Sequence, residues 1–254
     1  MTAINLKTEP TKTYTLDAWR SGHRSLTKEY DYWIDEIEGE IPVGLQGTLF
    51  RNGPGLLDVH GDRLHHPFDG DGMVAAFTFR DGKVHFRNRF VRTEGYVAEQ
   101  KAKKILYRGV FGTQKPGGVL ANAFDVRLKN IANTSVVYWG NKLLALWEAG
   151  LPHRLNPATL ETEGLDRLNG VLKKNQPFSA HPRFDPGDEN REPRFVNFST
   201  ETGLSTKLTV YEFDLDGALR IQYSHTIPGL GFFHDFALTP NYVIFFQNPV
   251  VLNP

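Results

Sequence analysis

The stretch "MVAAFTFRDGKVHFRNRFV" (Met73–Val91) decides the fold of this chain. Two runs rich in aromatic and β-branched residues flank Asp81-Gly82, a dipeptide typical of tight hairpin turns. We therefore predict a β-hairpin here. The same pattern recurs in three later segments, which are Ser135–Gly150 around Gly140-Asn141, Leu208–Thr226 around Asp216-Gly217, and Phe236–Leu252 around Thr239-Pro240-Asn241.

Repeated hairpins with few helical patterns indicate an all-β sandwich, barrel or propeller. The turns at Gly82, Asn141 and Gly217 lie 59 and 76 residues apart. This spacing is too long for a simple sandwich and suits four-stranded propeller blades with loops inserted between strands. We expect an all-β chain in which residues 41–254 form a partial β-propeller.

Residues 1–40 are polar and irregular, and we expect them to form an N-terminal segment of their own. Short helices are predicted around Thr15–Arg20 and Tyr30–Ile37. Helical periodicity is weak except in Gly118–Asn130 and Asn156–Leu168, where two more helices are predicted. The chain stops at "NPVVLNP", still within strand-like sequence, so a truncated chain with an open sheet edge is expected.

Composition excludes several classes of function. The 254 residues include 29 basic and 29 acidic side chains, so no net charge favours nucleic acid as a partner. There is no cysteine, which excludes disulfides and thiolate metal sites. No apolar run is long enough to span a membrane, and no signal peptide is visible at the N-terminus. We expect a cytoplasmic protein.

Nine histidines raise the question of a metal site. His60, His65 and His66 lie close to Asp69 and Asp71, but "DGDG" is typical of a tight turn, and a loop is favoured over a metal cluster. Apart from His181 and His234, the remaining histidines are expected to be exposed to solvent or packed, with His153 in a loop after Pro152.

His181 and His234 differ from the others. His181 precedes Pro182 in "FSAHPRFDP", which favours extended backbone, and His234 lies in "GFFHDFALTP". They are 53 residues apart, about one repeat, and equivalent positions of successive blades face the axis of a propeller. Two converging imidazoles could bind iron, zinc or copper. On spacing alone, a purely structural role is equally favoured.

Five ordered motifs carry a resemblance to a known family: "GLQGTLFRNGPG" (Gly44–Gly55), "HPFDGDGM" (His66–Met73), "LLALWEAGLPHRL" (Leu143–Leu155), "SAHPRFDP" and "FHDFALTPNYVIF". From about Tyr32 to Pro254 the chain resembles the N-terminal half of the carotenoid cleavage oxygenases. The resemblance implies a seven-bladed β-propeller with one Fe(II) on its axis, held by four histidines. This chain would then be an incomplete N-terminal portion.

The resemblance also implies roles for individual residues. His181 and His234 would be the first two iron ligands, with the other two beyond Pro254. Glu148 would accept a hydrogen bond from a metal-bound imidazole. No catalytic residue separate from the metal centre is implied. Thr134 would lie beside the open coordination position, and four residues would line a substrate tunnel or could equally be core, namely Phe68, Phe111, Trp147 and Phe232.

The implied activity is Fe(II)-dependent oxidative cleavage of a polyene double bond in apocarotenoids by dioxygen, of the apocarotenal-to-retinal type. Stilbene cleavage and retinoid isomerisation are alternatives within the family. A non-catalytic truncated propeller that binds apolar ligands or a partner is an alternative from another class. We expect the 254-residue chain alone to be inactive.

A peripheral membrane contact is also expected, because the substrate dissolves poorly in water. Val119, Leu120 and Phe124 would share one apolar helical face, flanked by three basic residues, Lys115, Arg127 and Lys129. The alternative is that this face packs on the propeller as ordinary core.

Overall fold

The protein is described here from a computed structural model that covers residues 15–123, 125 and 127–247, with the backbone alone at Arg20. Within these residues there are three α-helices, α1 (Leu16–Gly22), α2 (Glu94–Ala102) and α3 (Gly118–Asn122), and one 3₁₀ helix, Pro67–Asp69. The first ten strands are β1 (Asp31–Trp33), β2 (Gly47–Leu56), β3 (Asp58–Val59), β4 (Asp62–Arg63), β5 (Asp71–Arg80), β6 (Lys83–Phe90), β7 (Ser135–Trp139), β8 (Lys142–Leu146), β9 (His153–Leu155) and β10 (Thr162–Leu165). The others are β11 (Arg183–Asp185), β12 (Arg194–Thr202), β13 (Ser205–Phe213), β14 (Leu219–Pro228), β15 (Phe236–Leu238) and β16 (Val243–Phe245). The all-β prediction with few short helices is confirmed.

The strands form three successive four-stranded antiparallel sheets, followed by the two-stranded sheet β15-β16. The strand orders are β1-β6-β5-β2, β10-β9-β8-β7 and β11-β12-β13-β14, and β3-β4 is a small separate ribbon. The second and third sheets are meanders, in which strands consecutive in the chain are neighbours in space. The first sheet takes its edge strand β1 from the N-terminal side instead.

The predicted hairpins form with the predicted turns. Asp81 and Gly82 both have positive φ, 52° and 71°, as a two-residue turn that matches strand twist requires. Gly140 and Asn141 repeat this geometry at 56° and 57°. The fourth predicted hairpin forms as β15 and β16, and its expected extension to residue 252 lies outside the described residues.

Alternation along β8 explains how the sheets stack. Its sequence "KLLAL" is almost continuously apolar because both faces are covered. Leu143 and Ala145 pack towards Val74 and Ala76 of the first sheet. The alternate residues, Leu144 and Leu146, join an aromatic core shared with the third sheet, which also contains Trp139, Phe195, Tyr211 and Phe213. A further apolar layer, which includes Phe198, Phe236 and Phe245, joins the third sheet to β15 and β16.

Two helix predictions are wrong, one because of a long-range strand pairing and the other because of a local side-chain turn. Residues 31–33, within the predicted helix Tyr30–Ile37, form β1, because Asp31 pairs across the sheet with Arg87 and accepts its Nε–H at 2.8 Å. Asn156 starts a turn rather than a helix, since its side-chain oxygen accepts the backbone N–H of Ala158 at 2.9 Å.

The other helix predictions have mixed outcomes. The helix predicted near Thr15–Arg20 is confirmed as α1. Of the helix predicted in Gly118–Asn130, the described residues form α3 alone, and the Asn122 side chain at its end donates to the carbonyl of Gly118 at 2.8 Å and accepts the N–H of Lys115 at 2.9 Å. Helix α2 was not predicted from the sequence.

Candidate metal centre

Glu148, His181 and His234 come together although each belongs to a different part of the fold. Glu148 lies two residues after β8, His181 two residues before β11, and His234 two residues before β15. Three successive sheets therefore each contribute one side chain at a strand end. Within the described part of the chain, this is the group of histidine and carboxylate side chains that could hold a metal ion.

The geometry centres on one carboxylate oxygen. Oε1 of Glu148 contacts Nδ1 of His234 and lies 3.4 Å from Nε2 of His181. The candidate ligand atoms of all three residues lie within 4.8 Å of one another, and the imidazole centroids are 4.4 Å apart. Nε2 of His181 is buried and makes no hydrogen bond, because its approach to Glu148 lacks hydrogen-bond geometry.

The backbone around His181 is held by the neighbouring strand β12. Ser179 donates its N–H to the carbonyl of Phe198 at 2.9 Å, and its own carbonyl accepts the fully buried Asn197 side chain at 2.8 Å. The Ser179 hydroxyl in turn accepts the N–H of His181 at 3.2 Å. With Pro182 fixing the next residue, the imidazole has a defined direction.

His234 is placed by the packing of its neighbours, and Glu148 is placed by a tight turn. Phe233 and Phe236 are buried on either side of His234, while the His234 side chain is about half exposed. Glu148 lies in a turn that Gly150 closes with its N–H on the carbonyl of Trp147 at 3.2 Å. A Cβ at Gly150 would meet the Asn130 side-chain amide at 2.4 Å, so a larger residue here would displace that amide from its bond to the Leu151 carbonyl.

These donors fit a divalent metal ion. Imidazole nitrogen and carboxylate oxygen are ligands that iron and zinc accept, and a neutral imidazole must present an unprotonated nitrogen. The orphaned Nε2 of His181 points to where such an ion would bind, since a buried ring nitrogen without a partner is otherwise unfavourable. The residues present therefore fit a non-haem iron.

The residues expected along a substrate tunnel are only partly brought together. The exposed rings of Phe68 and Phe111 pack edge to face with centroids 5.4 Å apart, and His66 stacks on Phe111. Asn133 connects this pair to Thr134, since its amide donates to the carbonyl of Phe68 at 3.1 Å and its oxygen accepts the Thr134 hydroxyl at 3.2 Å.

Trp147 and Phe232 are placed differently. Trp147 is buried and lines a small cavity together with Asp69, Val110 and Lys129. Phe232 is half exposed, next to the buried Phe233, and no ring contact or hydrogen bond among the described residues connects it with the Phe68–Phe111 pair.

The aspartates near His65 and His66 lie in regular elements rather than in a loop, because Asp69 ends the 3₁₀ helix Pro67–Asp69 and Asp71 begins β5. The Asp69 carboxylate accepts the backbone N–H groups of Phe111 and Thr113 and the Thr113 hydroxyl. Asp71 is buried and paired with Lys129 at 2.7 Å, and burial raises the pKa of Asp71 to about 6. Both carboxylates thus stabilise the fold.

His153 lies in β9, so its expected place in a loop is wrong. The strand "HRL" continues the second sheet past Pro152, and His153 is buried there with Nδ1 unpartnered. Burial lowers the pKa of His153 to about 4. A packing role is therefore correct for this residue.

The apolar face expected at α3 is exposed. The exposed fractions of Val119 and Leu120 are 81% and 96%, so packing as core is excluded for both, while Phe124 lies outside the described residues. The expected basic flank is corrected, because Lys129 is buried between Asp71 and Glu99. Its other two members, Lys115 and Arg127, both pair with Asp125. No helix in the described ranges is long and apolar enough to cross a membrane.

Residues 23–254 match the family model described as retinal pigment epithelial membrane protein. Over 246 residues the chain is 57% identical to apocarotenoid-15,15'-oxygenase of Synechocystis, which covers 95% of this chain and 50% of the relative. Lignostilbene-alpha,beta-dioxygenase isozyme III of Sphingomonas paucimobilis is 37% identical over 87% of this chain and 44% of its own length. The chain spans about half the length of the curated relatives it matches.

Solved structures agree with the sequence comparison. A mutant of Synechocystis apocarotenoid oxygenase superposes with a TM-score of 0.92 at 55% identity, over 96% of this chain and 51% of that chain. The cobalt-substituted Synechocystis enzyme superposes with a TM-score of 0.90 at 57% identity, over 92% of this chain and 50% of that chain. The sheets described above correspond to about half of that propeller. The chain therefore belongs to the retinal pigment epithelial membrane protein family, that of the carotenoid cleavage oxygenases, and has its β-propeller-type fold.

Proposed function

We propose that this protein is a non-haem iron oxygenase that cleaves a polyene double bond of an apocarotenoid with dioxygen, giving a retinal-type aldehyde. The observation that carries the proposal is the convergence of two imidazoles and one carboxylate from three sheets. The 57% identity to an apocarotenoid oxygenase over nearly the whole chain supports the substrate class.

His181 and His234 would hold the iron through their ring nitrogens, and the iron would supply the activation of dioxygen. Glu148 would accept an N–H from an imidazole and fix the ring orientation, because a carboxylate beside a ligating histidine sets its tautomer and raises its basicity. The unpartnered, buried Nε2 of His181 supports its role as a ligand.

An uncharged polyene needs apolar walls and no acid or base of its own. Phe68 and Phe111 would provide such a wall, and Thr134, which Asn133 links to the Phe68 carbonyl, would lie beside the open coordination position, as the family resemblance implies. We assign Trp147 and Phe232 to the same tunnel on the strength of the family resemblance, and their role is to exclude water from the reacting bond.

Delivery of the substrate would involve a lipid surface. Val119 and Leu120 are exposed on α3, and Phe124 follows this helix in the sequence. Because Lys115 and Arg127 are both engaged by Asp125, the contact would depend on apolar insertion rather than on charge. Liposome binding should accordingly change little with salt or with the content of anionic lipid.

The metal assignment is tested by His181→Ala and His234→Ala in the intact protein, with His225→Ala as control. His225 is exposed on β14 and does not belong to the cluster. We expect each of the first two variants to lose bound iron and cleavage of an apocarotenal, whereas the control keeps both. Full iron occupancy and turnover in His181→Ala would show that the ligand assignment is wrong.

The substrate class is tested separately, by comparing kcat/KM for an apocarotenal and for a stilbene. We expect the apocarotenal to be preferred. Preference for the stilbene would move the protein towards the function named for its lignostilbene-cleaving relative.

A further inference from the structure

The segments that carry His181 and His234 are not neighbours in a sheet. Among the described strands, β11 pairs with β12 and β15 pairs with β16, with no ladder between β11 and β15. An open cleft separates them, lined by residues 183–186 on one side and 236–240 on the other. The two imidazoles therefore need another connection to keep their relative position.

Arg183 crosses this cleft. It lies two residues after His181, and its Nη2 donates to Oδ2 of Asp235, the residue after His234, at 2.7 Å. Its Nε donates to the carbonyl of Phe236 at 3.2 Å, and the guanidinium lies 5.9 Å from the centre of the Phe236 ring. The planar fork of arginine makes both bonds at once, which lysine cannot do.

The turn that follows β15 is attached to the hairpin formed by β11 and β12. The carbonyl of Pro240 accepts Arg191 Nη1 at 3.0 Å and Arg194 Nη2 at 3.2 Å. Asp185 holds both arginines, at 3.1 and 3.0 Å. These bonds anchor the turn after β15, so the bonds of Arg183 are the ones adjacent to His234.

We propose that Arg183 is a positioning residue that sets the distance and angle between His181 and His234, and thereby the affinity and geometry of the metal site. This inference rests on the proposed function, since it takes both histidines as ligands. Arg183 and Asp235 are 44% and 41% exposed, so their ion pair contributes little to overall stability. Its loss frees the backbone next to His234, and partners that orient ligands typically change metal affinity about 10–100-fold.

The chain offers a closely matched control. Arg154 and Glu163 form an ion pair at 2.9 Å with side chains 43% and 41% exposed, on β9 and β10 of the second sheet. Arg154→Ala removes an equivalent surface ion pair that does not touch either histidine segment.

Co²⁺ serves as the probe in the intact protein, because its visible absorption spectrum reports coordination geometry. For Arg183→Ala we expect Co²⁺ affinity about 10-fold or more below the parent, an altered spectrum, and a urea midpoint equal to that of Arg154→Ala. Arg183→Lys should be intermediate. Asp235→Ala should match Arg183→Ala, and the double variant should lose no more affinity than either single one.

Each outcome of these measurements has one interpretation. Parent-like affinity and spectrum in Arg183→Ala, with Co²⁺ binding lost in His181→Ala, would overturn the positioning role and leave the metal assignment intact. Co²⁺ binding that survives in both His181→Ala and His234→Ala would overturn the proposed function and this inference with it. A urea midpoint lower than in Arg154→Ala, with an unchanged spectrum, would make Arg183 a general structural residue and also refute the proposal.

Discussion

The imidazole of His153 should make this protein less stable in acid, and replacing it with glutamine should remove that effect. His153 is buried in β9, where Nδ1 has no hydrogen-bond partner, and burial lowers its pKa from the ordinary 6.5 to about 4. Unfolding exposes the ring and restores the ordinary value. As the pH falls below 6.5, the unfolded chain therefore binds a proton that the folded protein does not.

The size of the effect follows from this pKa difference. Each pKa unit corresponds to about 1.4 kcal/mol, so the free energy of unfolding should fall by about 2 kcal/mol between pH 7 and pH 4.5 because of His153 alone. The loss levels off below the folded pKa of about 4, where both states are protonated.

The protonation of Asp71 changes the stability in the opposite direction, so its effect must be distinguished from that of His153. Burial raises the pKa of Asp71 to about 6, so the folded protein binds this proton first and gains stability as the pH falls towards 4. The pH dependence of the parent alone is then a mixture of both effects. Only the difference between parent and His153→Gln isolates the imidazole.

The assay is urea unfolding of the parent, His153→Gln and the exposed-histidine control His225→Gln at several pH values from 7 to 4.5. We expect the free-energy difference between parent and His153→Gln to shift by about 2 kcal/mol over this range, and that for the control to stay constant. Parallel stability curves for parent and His153→Gln would refute the reasoning, since His153 would then be as easily protonated in the folded state as in the unfolded chain.

Two further predictions concern the site and the surface. Glu148→Gln keeps the size of the side chain but removes the charge beside both imidazoles, so metal affinity or turnover should fall about 10–100-fold, whereas the exposed Glu163→Gln should match the parent; equal kinetics in both variants would remove Glu148 from the site. Leu120→Lys should weaken liposome binding about 10-fold or more, because burying a leucine side chain is worth about 2 kcal/mol, and should leave the melting temperature and cleavage in detergent micelles unchanged. Leu204→Lys, at an equally exposed leucine in the β12–β13 turn, is its control, and liposome binding equal to the parent in Leu120→Lys would contradict the membrane contact.

The sequence predicts those parts of the fold whose information is local. Asp81-Gly82 and Gly140-Asn141 specify turns by the backbone conformation that they favour, and both turns form as predicted. Helix α2 escapes detection because its buried positions include Gly95 and Glu99, so no apolar stripe marks its inner face. Its local signals were the Thr93 side chain, which accepts the N–H of Tyr96, together with Glu94 in the first turn and Lys101 in the last.

The candidate site also combines features that the local sequence predicts with features that it does not. Extended backbone at His181-Pro182 and the spacing to His234 could be read from the sequence, and the family resemblance added Glu148. That one oxygen of Glu148 lies against both imidazoles depends on how three sheets stack, which no local pattern encodes. The burial of Lys129 likewise depends on carboxylates 58 and 30 residues away, so a cation expected at a lipid surface is found inside the protein.

The pairing of β1 with β6 has a consequence for biosynthesis. Strands of the second and third sheets pair with their immediate successors, so each can form as soon as it leaves the ribosome. Asp31 must instead wait for Arg87, 56 residues later, which takes roughly 3–10 s at usual rates of translation. During this interval the aromatic strand lacks its partner, and a charge such as that of Asp31 at its start disfavours pairing with other strands.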